Sequence, residues 1–494
     1  MAAVLIMGSI LLVLIFTLLY KYLNRNFNYW KSKNVFYVKP IPVFGNMLPA
    51  LTMKTTLGEW LGDLSHKIKK DYFGIFVFDR PVLVVQSPKL IKLVLQKDFE
   101  YFQNRSVAHY EHDPIMSNFM FLAKNPRWKA VRSKLTPVFS TGKLKQMFPH
   151  ILREGNLMVD YISNFDNMPS IESKEICAKF STNVIARCAF AIDAGCFNTE
   201  NAEFRCLGRQ LFNFRCSTAF RLHTAFLAPK LATALHISFF NPRVINRLCS
   251  IFGEILSSRM SNPEYKGNDL VDILIEESKG KNVEFDQNVM MAQALQFFAA
   301  GHETVSGTLS FTLYELCVNV HLQDRLRKEI FDNLKRLDGI TCEGVSEMKF
   351  LDMCIAETLR KYPVLPFLDR TCLRDYKVAD SDLVIEQGMD VYIPLFALHH
   401  NPEFFPQPEK YDPERFADKS KINNKGLYYL PFGDGPRICI GNRFGLLAVK
   451  IGLVSLLSKY KIEATPRTPI PLKLEPKGVV SQSTVGVPLK FVPI

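Results

Sequence analysis

Several signatures that settle a function quickly are missing from this chain. Its eleven cysteines are odd in number and none forms a Cys-x-x-Cys pair, which disfavours a zinc site or a thioredoxin-like motif. Most, such as Cys177, Cys188 and Cys317, read as small apolar filler in a reducing compartment. The formal net charge is +13, which suits nucleic acid, an anionic membrane or an acidic protein partner. No zinc-finger spacing or RNP motif is present, so nucleic acid ranks last. Gly433-x-Gly435 is not a dinucleotide fingerprint: Ile438 stands where the third glycine belongs, and no strand-turn-helix unit follows. Internal repeats, low-complexity tracts and Gly/Ser linkers are absent after the first fifty residues. That favours one large domain over the roughly three that length alone suggests. A composition of 48% hydrophobic and 22% charged residues excludes general disorder.

Charge is also missing from the start of the chain. Ala2 to Tyr20 is almost wholly apolar, close to the roughly 20 residues that cross a hydrocarbon core. A cleaved secretory signal would carry a basic leading segment and a small-residue cleavage site. Here no charged side chain precedes the run, and it stays apolar through Leu18 and Leu19. Lys21, Arg25, Lys31 and Lys33 follow and stay cytosolic by the positive-inside rule. Residues 1–20 are expected as a single-pass signal anchor, 21–50 as a basic, proline-containing linker, and 51–494 as the main domain. Lys39 to Asn46 reads as a stiff elbow, because proline fixes φ and removes a donor.

What is present centres on Phe432-Gly433-Asp434-Gly435-Pro436-Arg437-Ile438-Cys439-Ile440-Gly441. One cysteine lies between glycines and an arginine, just before a helical pattern. A thiolate in such a loop can ligate a metal, and glycines let the backbone approach a flat ligand closely. Three readings compete: a haem iron ligand, a nucleophilic thiol and a buried structural cysteine. The glycine and arginine setting favours iron. Phe-x-x-Gly-x-Arg-x-Cys-x-Gly resembles the haem-ligand signature of the cytochrome P450 superfamily, matched at every fixed position from Phe432 to Gly441. The resemblance runs from about residue 30 to the C-terminus. Phe99 to Phe102 and Leu135 to Lys143 resemble the insect microsomal branch associated with foreign compounds.

The resemblance implies the P450 fold, mainly α with a minor β region, and haem b with Cys439 as axial thiolate. It implies a monooxygenase that uses O2 on a lipophilic substrate. With no flavin or nicotinamide fingerprint in the chain, electrons would come from NADPH through a separate cytochrome reductase, with cytochrome b5 as a second donor. It also implies the endoplasmic reticulum membrane with a cytosolic catalytic domain. A steroid, fatty-acid or hormone hydroxylase, a reductase-independent isomerase or dehydratase, and a non-enzymatic haem carrier are the competing readings. A thiol hydrolase ranks last, because no histidine partner for Cys439 can be identified.

Helix is expected to dominate. Tyr72–Asp79 and Val82–Gln86 read as a hairpin split by Arg80-Pro81. Pro88–Gln96 has helical periodicity, and Asp98–Phe119 reads as a loop. Residues 125–338 are largely helical in pattern. Strands are expected at Tyr376–Ile385 and Val391–Ile393, coil over 400–425, a helix from Asn442 to about Tyr460, and short strands in the tail.

Phe285 to Asn319 is apolar nearly all round and would extend about 50 Å, enough to cross the core. Its middle carries Ala300-Gly301-His302-Glu303-Thr304. A glycine and two ionisable residues inside a buried helix cost stability, so a compensating role is expected. A zinc-protease helix would need a second histidine at 306, where Ser306 stands. By resemblance this is the oxygen-activating groove. Ala300 and Gly301 would lie against the haem, the Thr304 hydroxyl would serve the opening, and Glu303 would relay protons. On its own, Thr304 would more often simply bond back to the carbonyl one turn earlier.

Glu357 and Arg360 share a helix face in a pattern from Ser346 to Lys361. A surface pair there would contribute little. The resemblance instead puts Glu357, Arg360 and Arg415 in a buried network behind the cysteine loop. Trp128 and Arg132, four apart, can both reach a carboxylate. By resemblance Trp128, Arg132, Arg370 and Arg437 hold the haem propionates, with Arg105 as a further candidate and Phe432, Gly433 and Gly441 shaping the loop. Asn118–Phe121, Phe297, Phe298, Val305 and Val364–Leu368 match substrate-lining regions, and Leu211–Phe226 would cap them. Lys129, Lys134, Lys143, Lys145, Arg443 and Lys450 would form a basic face for an acidic reductase.

Overall fold

The computed structural model describes the chain except residues 166–167, 263, 266, 268, 280–284, 380 and 419–425. Helix makes up 56% and strand 9%, so the expected mainly α architecture is observed. Residues 419–425 of the expected 400–425 coil lie outside the described residues.

The first helix, Ala2–Leu23, keeps every side chain from Val4 to Tyr22 exposed. It is long and apolar enough over Val4–Leu23 to cross a membrane. The following segment is docked rather than loose. The buried Trp30 donates from Nε1 to Ile75 O at 3.0 Å, and Asn46 Oδ1 accepts from Phe76 N at 2.7 Å. The proline-containing stretch before Asn46 is thereby stapled to the first strand.

That strand, Tyr72–Val77, pairs antiparallel with Arg80–Val85. Arg80-Pro81 does not split the hairpin as expected. The turn is Phe78-Asp79, with Phe78 at φ 58°, and Arg80 and Pro81 open the second strand. Pro81 is tolerated beside the strand start, and Arg80 gains an ion pair with Asp390. The sheet continues through Asp390–Ile393 to Leu368–Thr371. The last strand was not anticipated, because its Leu-Asp-Arg-Thr sequence shows no apolar alternation.

The central helix spans Gln287–Val318, and Asp286 caps it by accepting from Val289 N. At 1.5 Å per residue it extends about 48 Å. It packs against helices Ser173–Phe190, Pro242–Ser261, Lys349–Lys361 and Asn442–Leu457. The pattern read as one helix from Ser346 breaks at Met348, whose ψ of 93° separates Cys342–Glu347 from Lys349–Lys361.

Candidate active site

From Val289 to Cys317 every residue of the central helix is buried except Ala300, Gly301 and Thr304. These sit at i, i+1 and i+4, so they form one window on one helix face. The window opens onto a cavity with about 690 Å³ of empty space, part of it continuous with solvent. Cys439, Ile440 and Gly441 line the same cavity, as do Phe139, Ile185, Phe297 and Phe444. The helix groove and the cysteine loop, far apart in sequence, therefore border one mostly apolar space.

The loop is bent by its glycines. Gly433 and Gly435 have φ of 71° and 69°, and a Cβ on Gly435 would lie 1.8 Å from Leu95 O. Asp434 fixes the turn by accepting from Gly435 N at 2.6 Å and from Gln96 Nε2 at 2.7 Å. Phe432 O accepts from Cys439 N at 2.9 Å, and Gly433 N donates to Leu430 O at 3.0 Å. Cys439 is exposed by accessible area, yet protein surrounds it, so what it is exposed to is the cavity. Burial pushes its thiol pKa up, while the Gly441 N–H and the Arg132 and Arg105 cations pull it down. An iron ligand is deprotonated on binding, and these groups favour the thiolate.

Beside this space the structure gathers Arg105, Lys124, Arg370 and Arg437 around a single carboxylate, Asp369. Arg105 Nη1 donates to Asp369 Oδ1 at 3.0 Å, and Ser106 N and Oγ both donate to Oδ2. Lys124 Nζ is held by the carbonyls of Arg105 and Val107. Arg437 donates to Ala123 O at 2.8 Å, and its guanidinium carbon lies 4.3 Å from the Trp128 ring centre. Among the described residues Arg370 donates only to Asp369 O, at 2.7 Å, although it is fully buried. The Nε atoms of Arg370 and Arg437 are buried without an acceptor among the described residues. Burial first, then neighbouring cations, lowers the pKa of Arg437; for Lys124 burial outweighs Asp369 and the value falls to about 8. Asp369 itself is held below its usual range, because Arg105, Arg370 and the Ser106 N–H outweigh its burial. A buried cluster with this surplus of cations needs an anion. The two propionates of a haem beside a cavity-facing thiol meet that need, so the residues present fit the group. Arg132 interacts with Cys439 as well: burial lowers its pKa and Cys439 raises it.

Behind the loop, Glu357 and Arg360 are both fully buried and joined by two bonds of 2.8 Å. Arg415 Nε reaches Glu357 Oε1 at 3.3 Å. Arg360 Nη1 donates to His399 O at 3.0 Å, and His399 Nε2 accepts from Leu430 N at 3.0 Å. His399 thus carries the network to the residue that starts the cysteine loop. Neither His399 nor Lys124 was foreseen, since each is a lone charge or ring in an irregular stretch with no pattern around it.

On the central-helix side, Thr304 Oγ1 donates to Ala300 O at 2.8 Å. Glu303 is buried, with Lys174 Nζ 2.8 Å from its Oε1. Glu303 and Thr304 also border a smaller space, about 200 Å³, with Thr308 and Ser481. Phe226, in the stretch expected as a cap, stands 6.3 Å from both Phe121 and Phe367, in two of the expected substrate-lining regions. The expected basic face is reduced: Lys134 pairs with Glu277 and Lys450 with Asp352, and the exposed Lys145 lies 3.8 Å from Glu343, while Lys129 and Arg443 are exposed.

A cavity-facing thiol, a polar window in the opposite helix and an unbalanced cation cluster define a haem-thiolate protein. The family model described as Cytochrome P450 matches residues 37–490. Cytochrome P450 6k1 of Blattella germanica is 40% identical, covering 97% of this chain and 96% of that protein. Cytochrome P450 6j1 of the same insect is 38% identical, covering 96% and 95%. Probable cytochrome P450 6g2 of Drosophila melanogaster is 36% identical, covering 98% and 99%. The chain belongs to the cytochrome P450 family, on its insect branch, and is a monooxygenase with haem-thiolate iron as its cofactor.

Proposed function

We propose that this chain is a membrane-anchored monooxygenase of the endoplasmic reticulum that oxidises lipophilic compounds, foreign ones foremost. Its electrons come from NADPH through a separate reductase, with cytochrome b5 as a second donor. The observation that carries this reading is the Ala300, Gly301 and Thr304 window opening onto the same apolar cavity as Cys439. The bound haem supplies the iron at which dioxygen is activated. Cys439 ligates that iron as thiolate, favoured by the Gly441 N–H and Arg132. Arg132, Arg370, Arg437 and Trp128, with Arg105 and Lys124 in the same cluster, would hold the propionates. Phe432, Gly433 and Gly441 shape the loop, and Ala300 and Gly301 leave room beside the ring.

Thr304 can turn its hydroxyl from Ala300 O into the opening and pass a proton there. Glu303 supplies that proton from the buried side and regains one through the Lys174 edge, where the lysine side chain is 20% exposed. The aromatic walls exclude water and hold substrates by shape and apolar contact rather than charge. That suits lipophilic compounds of varied structure. Val4–Leu23 anchors the chain, and the exposed Lys129 and Arg443 steer the acidic reductase. The test is product identification from a panel of lipophilic compounds with reductase and NADPH. Oxygenated products that require NADPH support the reading. Turnover of a hydroperoxide without NADPH, and none with it, would establish the isomerase reading instead.

A further inference from the structure

His302 sits between the glycine and the acid of the groove, and the proton route leaves it without a part. Its ring is fully buried, stacked on Phe298 at 5.2 Å and 24°, with Phe212 at 5.7 Å. Nδ1 lies 3.0 Å from Phe298 O, one turn back on its own helix. Nε2 lies 3.2 Å from Gly208 O, on the short helix Glu203–Leu211 that leads into Phe212. Nε2 is also 3.9 Å from Glu303 Oε2. A neutral imidazole carries one N–H. Both ring nitrogens face carbonyls, so a neutral ring donates to one of them; the tautomer with its hydrogen on Nε2, which faces Gly208 O and the Glu303 carboxylate, is the one that joins the two helices. The approach depends on residue 208 being glycine, since a Cβ there would lie 3.0 Å from Nε2.

We infer that His302 is a positioning residue whose Nε2–H ties the Glu203–Leu211 helix to the central helix, next to the Glu303 carboxylate 3.9 Å away. The seating of that helix beside the proton-relaying acid then depends on one ring. The inference rests on the reading of Glu303 as the acid of the groove. The charged groups facing the ring are Glu303 on its own helix, Arg205 on the tied helix and Lys174 on Ser173–Phe190. Arg205 is partly neutralised by Glu175, to which it donates at 2.6 and 3.0 Å. Burial, joined by Arg205 and Lys174, outweighs the pull of Glu303 and the Phe298 carbonyl and lowers the ring's pKa. The seated helix therefore favours the neutral ring. Its stabilisation is fully present above the ordinary histidine value, 6.5, and is lost as pH falls below it.

The test is hydrogen exchange of amides 203–211 in the haem-loaded, full-length protein, at about pH 7.5 and about pH 5.5, corrected for intrinsic rates. His302→Phe keeps the stack and removes the donor; it should speed exchange of this helix roughly tenfold at the higher pH. Gly208→Ala, which displaces an intact imidazole, should do the same. His302→Gln keeps an N–H donor and should stay near wild type. Wild type should lose protection at the lower pH, and His302→Phe should show no such change. His302→Phe should also divert NADPH electrons from product to peroxide while its thiolate spectrum is retained. If His302→Phe fails to hold haem, Gly208→Ala decides. Exchange that is the same in wild type, His302→Phe and Gly208→Ala at both pH values overturns the positioning role. A wild type that shows the exchange pattern but no NADPH-dependent oxygenation leaves the tie standing and overturns the monooxygenase assignment of the groove.

Discussion

Arg437 lays its guanidinium 4.3 Å from the Trp128 ring centre while its Nε, buried, meets no acceptor. The aromatic face accommodates the cation but does not neutralise it. With Arg105, Arg370 and Lys124 gathered about one carboxylate, the cluster is set for an anion that the described residues do not supply. Stability should therefore respond to haem and to pH together. Without haem, Lys124 with a pKa of about 8, against an ordinary 10.5, is protonated at a cost at neutral pH. That cost is relieved as pH rises from about 8 towards 10.5, where only the unfolded chain still binds the proton. The haem-free protein should gain thermal stability over that interval, and the loaded protein should not. Melting curves of both forms across the interval check this.

Arg437→Leu should lower haem content sharply, because it removes a buried charge-assisted donor, a contribution of about 1.5–3 kcal/mol. Arg437→Lys should recover only part, since lysine lacks the planar fork that stacks on Trp128. The ratio of haem absorbance to protein, measured on purified variants, reads this directly.

Glu357→Ala leaves Arg360, fully buried, without its carboxylate. The expected loss is about 3–5 kcal/mol. It should appear as a lower denaturant midpoint and as haem lost in parallel with unfolding. Conversely, Arg325→Ala, which removes the exposed pairing with Glu414, should change stability by less than about 1 kcal/mol.

Glu303→Gln and Thr304→Ala should each keep haem binding, since neither bears on Cys439 or the cation cluster. Product formation should fall by roughly 10²-fold for Glu303→Gln, with peroxide released instead. Thr304→Ser retains a hydroxyl and should stay within a few-fold of wild type. Product and peroxide, both counted per NADPH consumed, separate these outcomes from a simple loss of folding.

Removing residues 2–23 should release the protein from lipid vesicles without altering its spectrum. The helix they form is exposed from Val4 to Tyr22 and makes no part of the described core. The docked Trp30 and Asn46 remain in such a variant to hold the first strand.

Much of the site could be read in the sequence because its parts are locally coded. The cysteine loop is one contiguous run, so glycines, arginine and thiol could be read together. Ala300, Gly301 and Thr304 stood out as polar or small residues inside an apolar helix, and they are the positions left unburied. Glu357 and Arg360 share a helix face at fixed spacing. Other parts exist only through tertiary structure. Lys124 approaches Asp369 across a long sequence separation, and an isolated lysine in a loop carries no periodic signal. His399 links Arg360 to Leu430 through its carbonyl and its ring, a role that no residue type announces. The strand Leu368–Thr371 hides two buried charges, Asp369 and Arg370, where an apolar pattern would be sought. Arg80-Pro81 looked like a break because the ion pair with Asp390, which favours its strand position, is remote in sequence.

The most direct test of the central claim is the carbon monoxide spectrum of the reduced, full-length protein, wild type against Cys439→Ala. Wild type should show the red-shifted Soret band of a thiolate-ligated haem, and Cys439→Ala should lack it. A variant that keeps that band would contradict Cys439 as the iron ligand and, with it, the site built around the loop.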